Sequence, residues 1–254
     1  MNEGLSVRGL SVRYGGREAV KGVSLDAPLE RLTGLIGPNG AGKTSTFNAL
    51  CGLVRPSAGT IMLFGEDVAG LSPQARARRG LGRTFQRMEL FDSLTVAQNV
   101  ALGREAHFAG SNPIHHLFTS ARERAAVAEA VRGAIDLCGL GPFAAKRAGN
   151  ISTGQRRLVE LARAIAGEFR VLLLDEPSSG LDAVETKRFG AILRTLVERG
   201  LGILLVEHDM SLVMEVCDYI HVIDFGESIF EGKPTDVANS ADVRAAYLGS
   251  QSVA

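Results

Sequence analysis

Between residues 5 and 35, apolar and polar residues alternate in three short runs: LSVRGLSVRYG, VKGVSLDAP and RLTGLIG. That is the period-two pattern of strands with one buried face. A helix-favouring stretch runs from Lys43 to Leu50 and stops at Gly52, after which GTIMLFGEDV returns to a β pattern. Ser72 followed by Pro73 predicts the start of a short helix, with Gly80 as its stop.

From residue 88 to about 150 the pattern changes. Thr95 with Gln98 three residues later predicts a capping-box start for one helix, and Ala121 to Cys138 reads as a long helix rich in Ala and Arg. GREAHFAGSNPIHHLFTS lies between them and reads as a looser polar loop. Strand and helix patterns then alternate again. VLLLD (171–175) is a continuous buried strand, Asp182 with Glu185 predicts the cap of the following helix, and GILLVEHD is another strand. The alternation predicts an α/β fold with a parallel sheet and a helical lobe inserted into it. No internal repeat or low-complexity tract interrupts it.

Composition narrows the picture. Of 254 residues, 45% are hydrophobic and 22% charged, the mix of a soluble globular protein large enough for a sizeable core and an appended lobe. Twenty-eight basic and 28 acidic side chains cancel, which argues against a general attraction to nucleic acid or to an anionic membrane surface. Cys51, Cys138 and Cys217 form no CxxC pair, so neither a disulfide framework nor a zinc site is expected, and a reducing compartment fits. No apolar run approaches the roughly 20 residues of a membrane-spanning helix, and MNEGLSVRGL lacks a signal-peptide pattern. Residence in the cytosol is therefore expected. Arg76, Arg78, Arg79 and Arg83 read as a solvated helix face rather than a nucleic-acid patch, because no aromatic residues interleave them. His107, His115 and His116 have no Cys or carboxylate at ligand spacing and do not suggest a metal.

Three segments carry chemistry. GPNGAGKT fits G-x-x-x-x-G-K-[ST] and sits between a predicted strand and a predicted helix, the context this motif requires. Its phosphate-binding set is Gly37, Pro38, Asn39, Gly40, Ala41, Gly42, Lys43 and Thr44, with Ser45 following. Glycines let backbone N–H groups turn toward phosphate oxygens at a helix N-terminus, Lys43 adds a charge for the β- and γ-phosphates, and Thr44 offers a hydroxyl to Mg²⁺. In VLLLDEP, two carboxylates end a buried strand, where ligands sit in open α/β sheets. Asp175 suits Mg²⁺, and Glu176 is placed to take a proton from a water attacking the γ-phosphate. ISTGQRR starts a helix in which Ser152 and Gln155 can form a capping box, a structural role that needs no ligand. The same start also offers a hydroxyl, amides and a dipole to an anion.

Placed shortly before an Asp-Glu strand, ISTGQ resembles the LSGGQ signature of ABC ATPases, with Thr153 standing where the general pattern has Gly. The resemblance assigns further positions. Tyr14 in VRYGG matches the aromatic that stacks on adenine, and Gln86 in GRTFQ matches the glutamine that senses the γ-phosphate and Mg²⁺ and relays to the membrane partner. Asp182 in SSGLD matches the loop after the acidic strand, and His208 in VEHDM matches the histidine that contacts the γ-phosphate. Ser152, Gly154 and Gln155 would close on the ATP of a second subunit. EHDMSLVMEVCDYIHVIDFGESIFEGKP, DVRAAYLGS and RTFQRMELFDSLTVAQNV look like the ATP-binding subunit of branched-chain amino acid importers.

The implied fold is a P-loop NTPase core (RecA-like, mainly parallel sheet) with an N-terminal antiparallel β subdomain and an inserted α-helical subdomain. The family pattern places one ABC ATPase domain over 1–254, its helical subdomain at about 88–160 and a C-terminal helical tail at about 232–254. Implied ligands are ATP and Mg²⁺. Implied partners are transmembrane permease subunits, a second ATPase subunit (a homodimer or a similar paralogue) and, indirectly, a periplasmic or extracellular substrate-binding protein, at the cytoplasmic face of the inner or plasma membrane. No nucleic acid is implied. The rival readings are a soluble non-transport ABC ATPase, the ATPase of an exporter, and a P-loop kinase or GTPase, which would explain Lys43 and Asp175 but not ISTGQ, His208 or Tyr14.

Overall fold

The structure is a computed structural model that describes residues 4–84, 89–108 and 121–250, with the side chains of 106–108, 121–122 and 248–250 left aside. The chain divides into two compact units. The first comprises Met1–Arg83, Arg170–Glu176 and Leu193–Ala254, and the second Thr84–Phe169 and Pro177–Ile192.

The first unit holds two sheets. In one, β1 (Gly4–Tyr14), β2 (Arg17–Pro28), β4 (Ala58–Leu63) and β5 (Glu66–Asp67) run antiparallel in the order β2-β1-β4-β5. Alternating Leu5, Val7, Leu10 and Val12 are buried on its core face. GTIMLFGEDV therefore forms two strands, broken at Phe64 and Gly65, which both take positive φ. The other sheet has the order β10-β9-β3-β8-β7-β6. Here β3 (Leu32–Ile36), β6 (Leu81–Arg83), β7 (Val171–Asp175), β8 (Gly202–Val206) and β9 (Tyr219–Asp224) are parallel, and β10 (Glu227–Gly232) is antiparallel at one edge. Every residue of β3, β7 and β8 is buried, as expected of parallel strands covered on both faces. The hairpin of β9 and β10 went unpredicted by the sequence pattern.

Helix α1 (Lys43–Cys51) follows β3 and ends on Gly52, whose φ of 78° supplies the left-handed stop. Helix α2 (Pro73–Arg78) starts at Ser72, whose hydroxyl accepts from the Ala75 N–H. The expectation of a solvated arginine face fails at Arg76, which is 1% exposed. Its guanidinium donates to the carbonyls of Ala49 and Leu50 in the last turn of α1, and to those of Ala69 and Leu71. Two carbonyls at the negative end of α1 thus acquire a cationic partner. Arg83 is also drawn inward, its guanidinium 5.4 Å from the centre of the Phe47 ring, whereas Arg78 and Arg79 stay exposed.

The second unit is helical: α3 (Val96–Phe108), α4 (Ala121–Leu137), α5 (Thr153–Ala166) and the start of α6 (Ala183–Glu198). Thr95 and Gln98 form the anticipated capping box. Residues 103–108, read as part of a loop, continue α3. A side chain at Gly103 would overlap the Arg163 carbonyl of α5, so the glycine lets two helices approach rather than ending one. In the closing stretch of the first unit, α7 (Met210–Val216), α8 (Pro234–Asn239) and α9 (Ala241–Ser250) complete the elements. The three cysteines are buried as free thiols.

Candidate functional site

The first unit contains a cavity of about 380 Å³ at the start of α1. Its wall is formed by residues 39–45, by Arg17, Glu18, Ala19 and Lys21 of β2, and by Glu176, His208 and Phe225. Glycines shape this wall through specific contacts. A side chain on Gly37 would overlap the carbonyl oxygen of Ile223, and one on Gly42, at φ 101°, would lie 2.7 Å from the carbonyl of Ala19. Any other residue would push the loop away from β2 and β9.

Lys43 is 6% exposed and donates to the carbonyls of Gly37 at 2.6 Å and Pro38 at 3.0 Å. Burial lowers its pKa below the ordinary lysine value, and the charges of Glu176 and Asp175 oppose that shift. The ammonium is thus held in place by neutral carbonyl groups and balanced by carboxylates, ready to exchange those carbonyls for phosphate oxygens.

Strand β7 delivers Asp175 and Glu176 to the same end of the sheet. Asp175 is 5% exposed and its pKa is raised, first by burial and then by the charge of Glu176, with Arg83 pulling the other way. Glu176 adopts φ 48°, a left-handed conformation that costs a non-glycine residue about 1–3 kcal/mol and is held when the surroundings fix it. Its N–H donates to the Val206 carbonyl at 2.8 Å, and its Oε1 lies 2.7 Å from Nε2 of His208. His208 follows β8, so two adjacent parallel strands place an acid and an imidazole side by side. Asp209 then caps α7 by accepting from the N–H groups of Ser211 and Leu212.

The donors fit Mg²⁺. Among the described residues no cluster of three or more His, Cys, Asp or Glu side chains exists. Mg²⁺, however, takes one or two protein oxygens together with phosphates and waters. Thr44 on the cavity wall supplies a hydroxyl, and a cation would offset the burial and the neighbouring acid that disfavour the charged form of Asp175.

Not every anticipated residue reaches this wall. Tyr14 is 47% exposed at the end of β1, paired with Arg17, and is not on it. Gln86 lies outside the described residues. Sequence reasoning missed Arg17, Glu18, Ala19, Lys21 and Phe225, whose approach depends on pairing between distant segments and leaves no local pattern.

The second unit holds the other anticipated group. Ser152 Oγ accepts from the Gln155 N–H at 3.2 Å, and Gln155 Oε1 accepts from the Ser152 N–H at 3.0 Å, a complete capping box on α5. Thr153 occupies the first helical position. A side chain at Gly154 would overlap the carboxylate of Glu185, which itself accepts from the Asp182 N–H at 3.2 Å. Asp182 in turn accepts from the N–H groups of Val184 and Glu185, each at 2.8 Å. Ser152, Gly154, Gln155 and Asp182 thus stand at two adjoining helix starts.

Comparison with known proteins agrees with this architecture. Residues 20–179 match the ABC transporter family. The chain is 39% identical to the high-affinity branched-chain amino acid transport ATP-binding protein BraF of Pseudomonas aeruginosa, over 96% of this chain and 97% of that one. It is 34% identical to the lipopolysaccharide export system ATP-binding protein LptB of Haemophilus influenzae, over 97% and 98%. Among solved structures it resembles the ADP conformation of MJ1267, an ATP-binding cassette of an ABC transporter. The TM-score is 0.86 at 26% identity, covering 98% of this chain and all of that one. Because the sequence match and the structural match each span almost the whole chain, it belongs to the ABC transporter family, as an ATP-binding and ATP-hydrolysing member.

Proposed function

We propose that this chain powers uptake of branched-chain amino acids, or of related small amides and amino acids, through separate permease subunits at the cytoplasmic face of a membrane. Residues 37–45 hold the triphosphate, Lys43 binds its β- and γ-phosphates, and Tyr14 stacks on the adenine. Thr44, Gln86 and Asp175 would hold Mg²⁺, which would neutralise charge on the phosphates. Glu176 takes the proton of the attacking water, and His208 orients Glu176 and contacts the γ-phosphate. Ser152, Gly154, Gln155 and Asp182 serve the nucleotide of a second ATPase subunit, so a lone chain is half a motor. Among the described residues no helix is long and apolar enough to cross a membrane, which fits a subunit held there by its partners.

The observation that carries the hydrolytic part is the 2.7 Å contact of His208 with a Glu176 held in left-handed geometry on the wall that also contains Lys43. Import rests on the 39% identity to BraF. The 34% identity to LptB supports export as the second reading. Purification of tagged protein from its native membranes in mild detergent, followed by reconstitution into vesicles, separates them. Two permease chains, a similar ATPase and ATP-driven leucine uptake stimulated by an added binding protein are expected. Co-purification with lipid-export components, or with ribosomes or DNA, would overturn import.

A further inference from the structure

The β9–β10 hairpin turns through two residues, Phe225 at φ 45° and Gly226 at φ 84°, between the paired Asp224 and Glu227. Two consecutive left-handed residues make the turn type that follows strand twist, and sterics reserve its first position for Asn, Asp or Gly. Phenylalanine accepts the strain here without burial in return. At 80% exposed, it is the most exposed large apolar residue among those described.

Its position is closely fixed. The Gly226 N–H donates to the Ala41 carbonyl in the phosphate loop at 3.0 Å, and the Gly226 carbonyl accepts from the Lys21 N–H of β2 at 2.7 Å. A side chain at Gly226 would meet the Ala19 carbonyl at 2.8 Å, so the turn packs flush against β2. Lys21 Nζ also pairs with Glu227 at 3.0 Å. These bonds hold Phe225 on the wall of the cavity that residues 39–45 and β2 share. Phosphate groups are recognised by N–H donors and cations and make no use of an exposed phenyl ring. A flat heteroaromatic base does, through stacking and edge contacts.

We infer that Phe225 is a base-recognition residue, its ring packing on the purine of the bound nucleoside triphosphate, so that the β9–β10 turn forms part of the nucleoside end of the site. The inference rests on reading residues 37–45 as the phosphate cradle.

Inorganic tripolyphosphate, which has the phosphates but no base, separates the two ideas. Phe225→Ala is expected to weaken ATP binding about tenfold by calorimetry while tripolyphosphate binds as in the wild type. Phe225→Gly, which also relieves the backbone, should lose ATP affinity to the same extent. The chain contains no tryptophan, so Phe225→Trp installs a single indole reporter. Its emission should change on adding ATP and stay constant on saturation with tripolyphosphate. Wild-type ATP affinity in Phe225→Ala, or equal losses for ATP and tripolyphosphate, would overturn the inference. So would an indole signal that follows protein concentration without ATP, which would assign the ring to a contact between copies. Wild-type protein that bound neither ligand would overturn the phosphate-cradle reading, and this inference with it.

Discussion

Two helix starts in this chain both invite an anion, and they are built in opposite ways. Helix α1 begins at Gly42, in left-handed conformation, with no side chain capping its first N–H groups. Helix α5 begins at Ser152 with both halves of a capping box in place. A helix N-terminus needs partners for its N–H groups. At α5 the chain itself supplies side-chain partners to the Ser152 and Gln155 N–H groups. At α1 it supplies none from a side chain, and it surrounds that end with a buried lysine, a buried aspartate and a strained glutamate. An uncapped helix start beside a buried lysine and two carboxylates is the observation that supports the proposed reading of α1 as the phosphate site. Every contact at α5 is explained by helix capping and packing, and its assignment to nucleotide comes from family resemblance.

Glu176 tests the first half of this contrast and carries the largest expected effect. Glu176→Gln keeps the shape and an amide able to hydrogen-bond His208 but removes the base. A general base contributes about a hundredfold or more, so turnover should fall by at least that factor while ATP affinity is retained. Steady-state phosphate release and equilibrium nucleotide binding on the same preparation measure both. Turnover within twofold of the wild type would remove the catalytic role of Glu176 and make its strained backbone merely a feature of the turn.

Gly154 tests the second half, with a smaller effect. In the native background Gly154→Ala should be close to neutral. The gain of about 1 kcal/mol from replacing a helical glycine is offset by displacing the Glu185 carboxylate from the Asp182 N–H, which also costs about 1 kcal/mol. In a Glu185→Ala background only the gain remains. Urea unfolding of the four proteins should therefore give a coupling of about 1 kcal/mol. Loss of ATP turnover in Gly154→Ala that persists when Glu185 is also removed would show that the glycine serves a ligand as well as its neighbour. Turnover that recovers together with stability would leave it a packing glycine.

The same division governs what could be read from sequence. Strands β3, β7 and β8 are apolar runs, and helix starts at Ser72, Thr95 and Ser152 carry their caps within three residues, so both kinds of element are legible locally. The phosphate loop and the acids ending β7 are legible for the same reason. Arg76 was not, because its partners Ala49 and Leu50 lie 27 and 26 residues away, and an arginine among arginines looks solvated. Residues 103–108 lack apolar periodicity, and Gly103 packs against Arg163 rather than ending the helix. The apolar run of β9 is interrupted by His221, a polar residue that is nonetheless 5% exposed and lies 3.0 Å from Glu231. Phe225 depends on bonds from its neighbour Gly226 to Ala41 and Lys21, which lie in distant parts of the sequence.

Ser152 gives the smallest change in stability and the sharpest separation of the two readings. As a helix cap, serine exceeds glycine by only a few tenths of a kcal/mol, because glycine leaves the end of the helix open to water. Ser152→Gly should therefore unfold at almost the wild-type urea concentration. The hydroxyl that accepts from Gln155 still has a proton to donate, and a phosphate oxygen of a second subunit's nucleotide is the acceptor the resemblance implies. Removing a hydrogen bond to a charged group costs about 1.5–3 kcal/mol, roughly ten- to a hundredfold in turnover, far more than the capping loss. A variant that keeps its stability and loses turnover by that factor would make α5 a binding site in its own right. One that keeps both would leave the capping box as the whole explanation for Ser152.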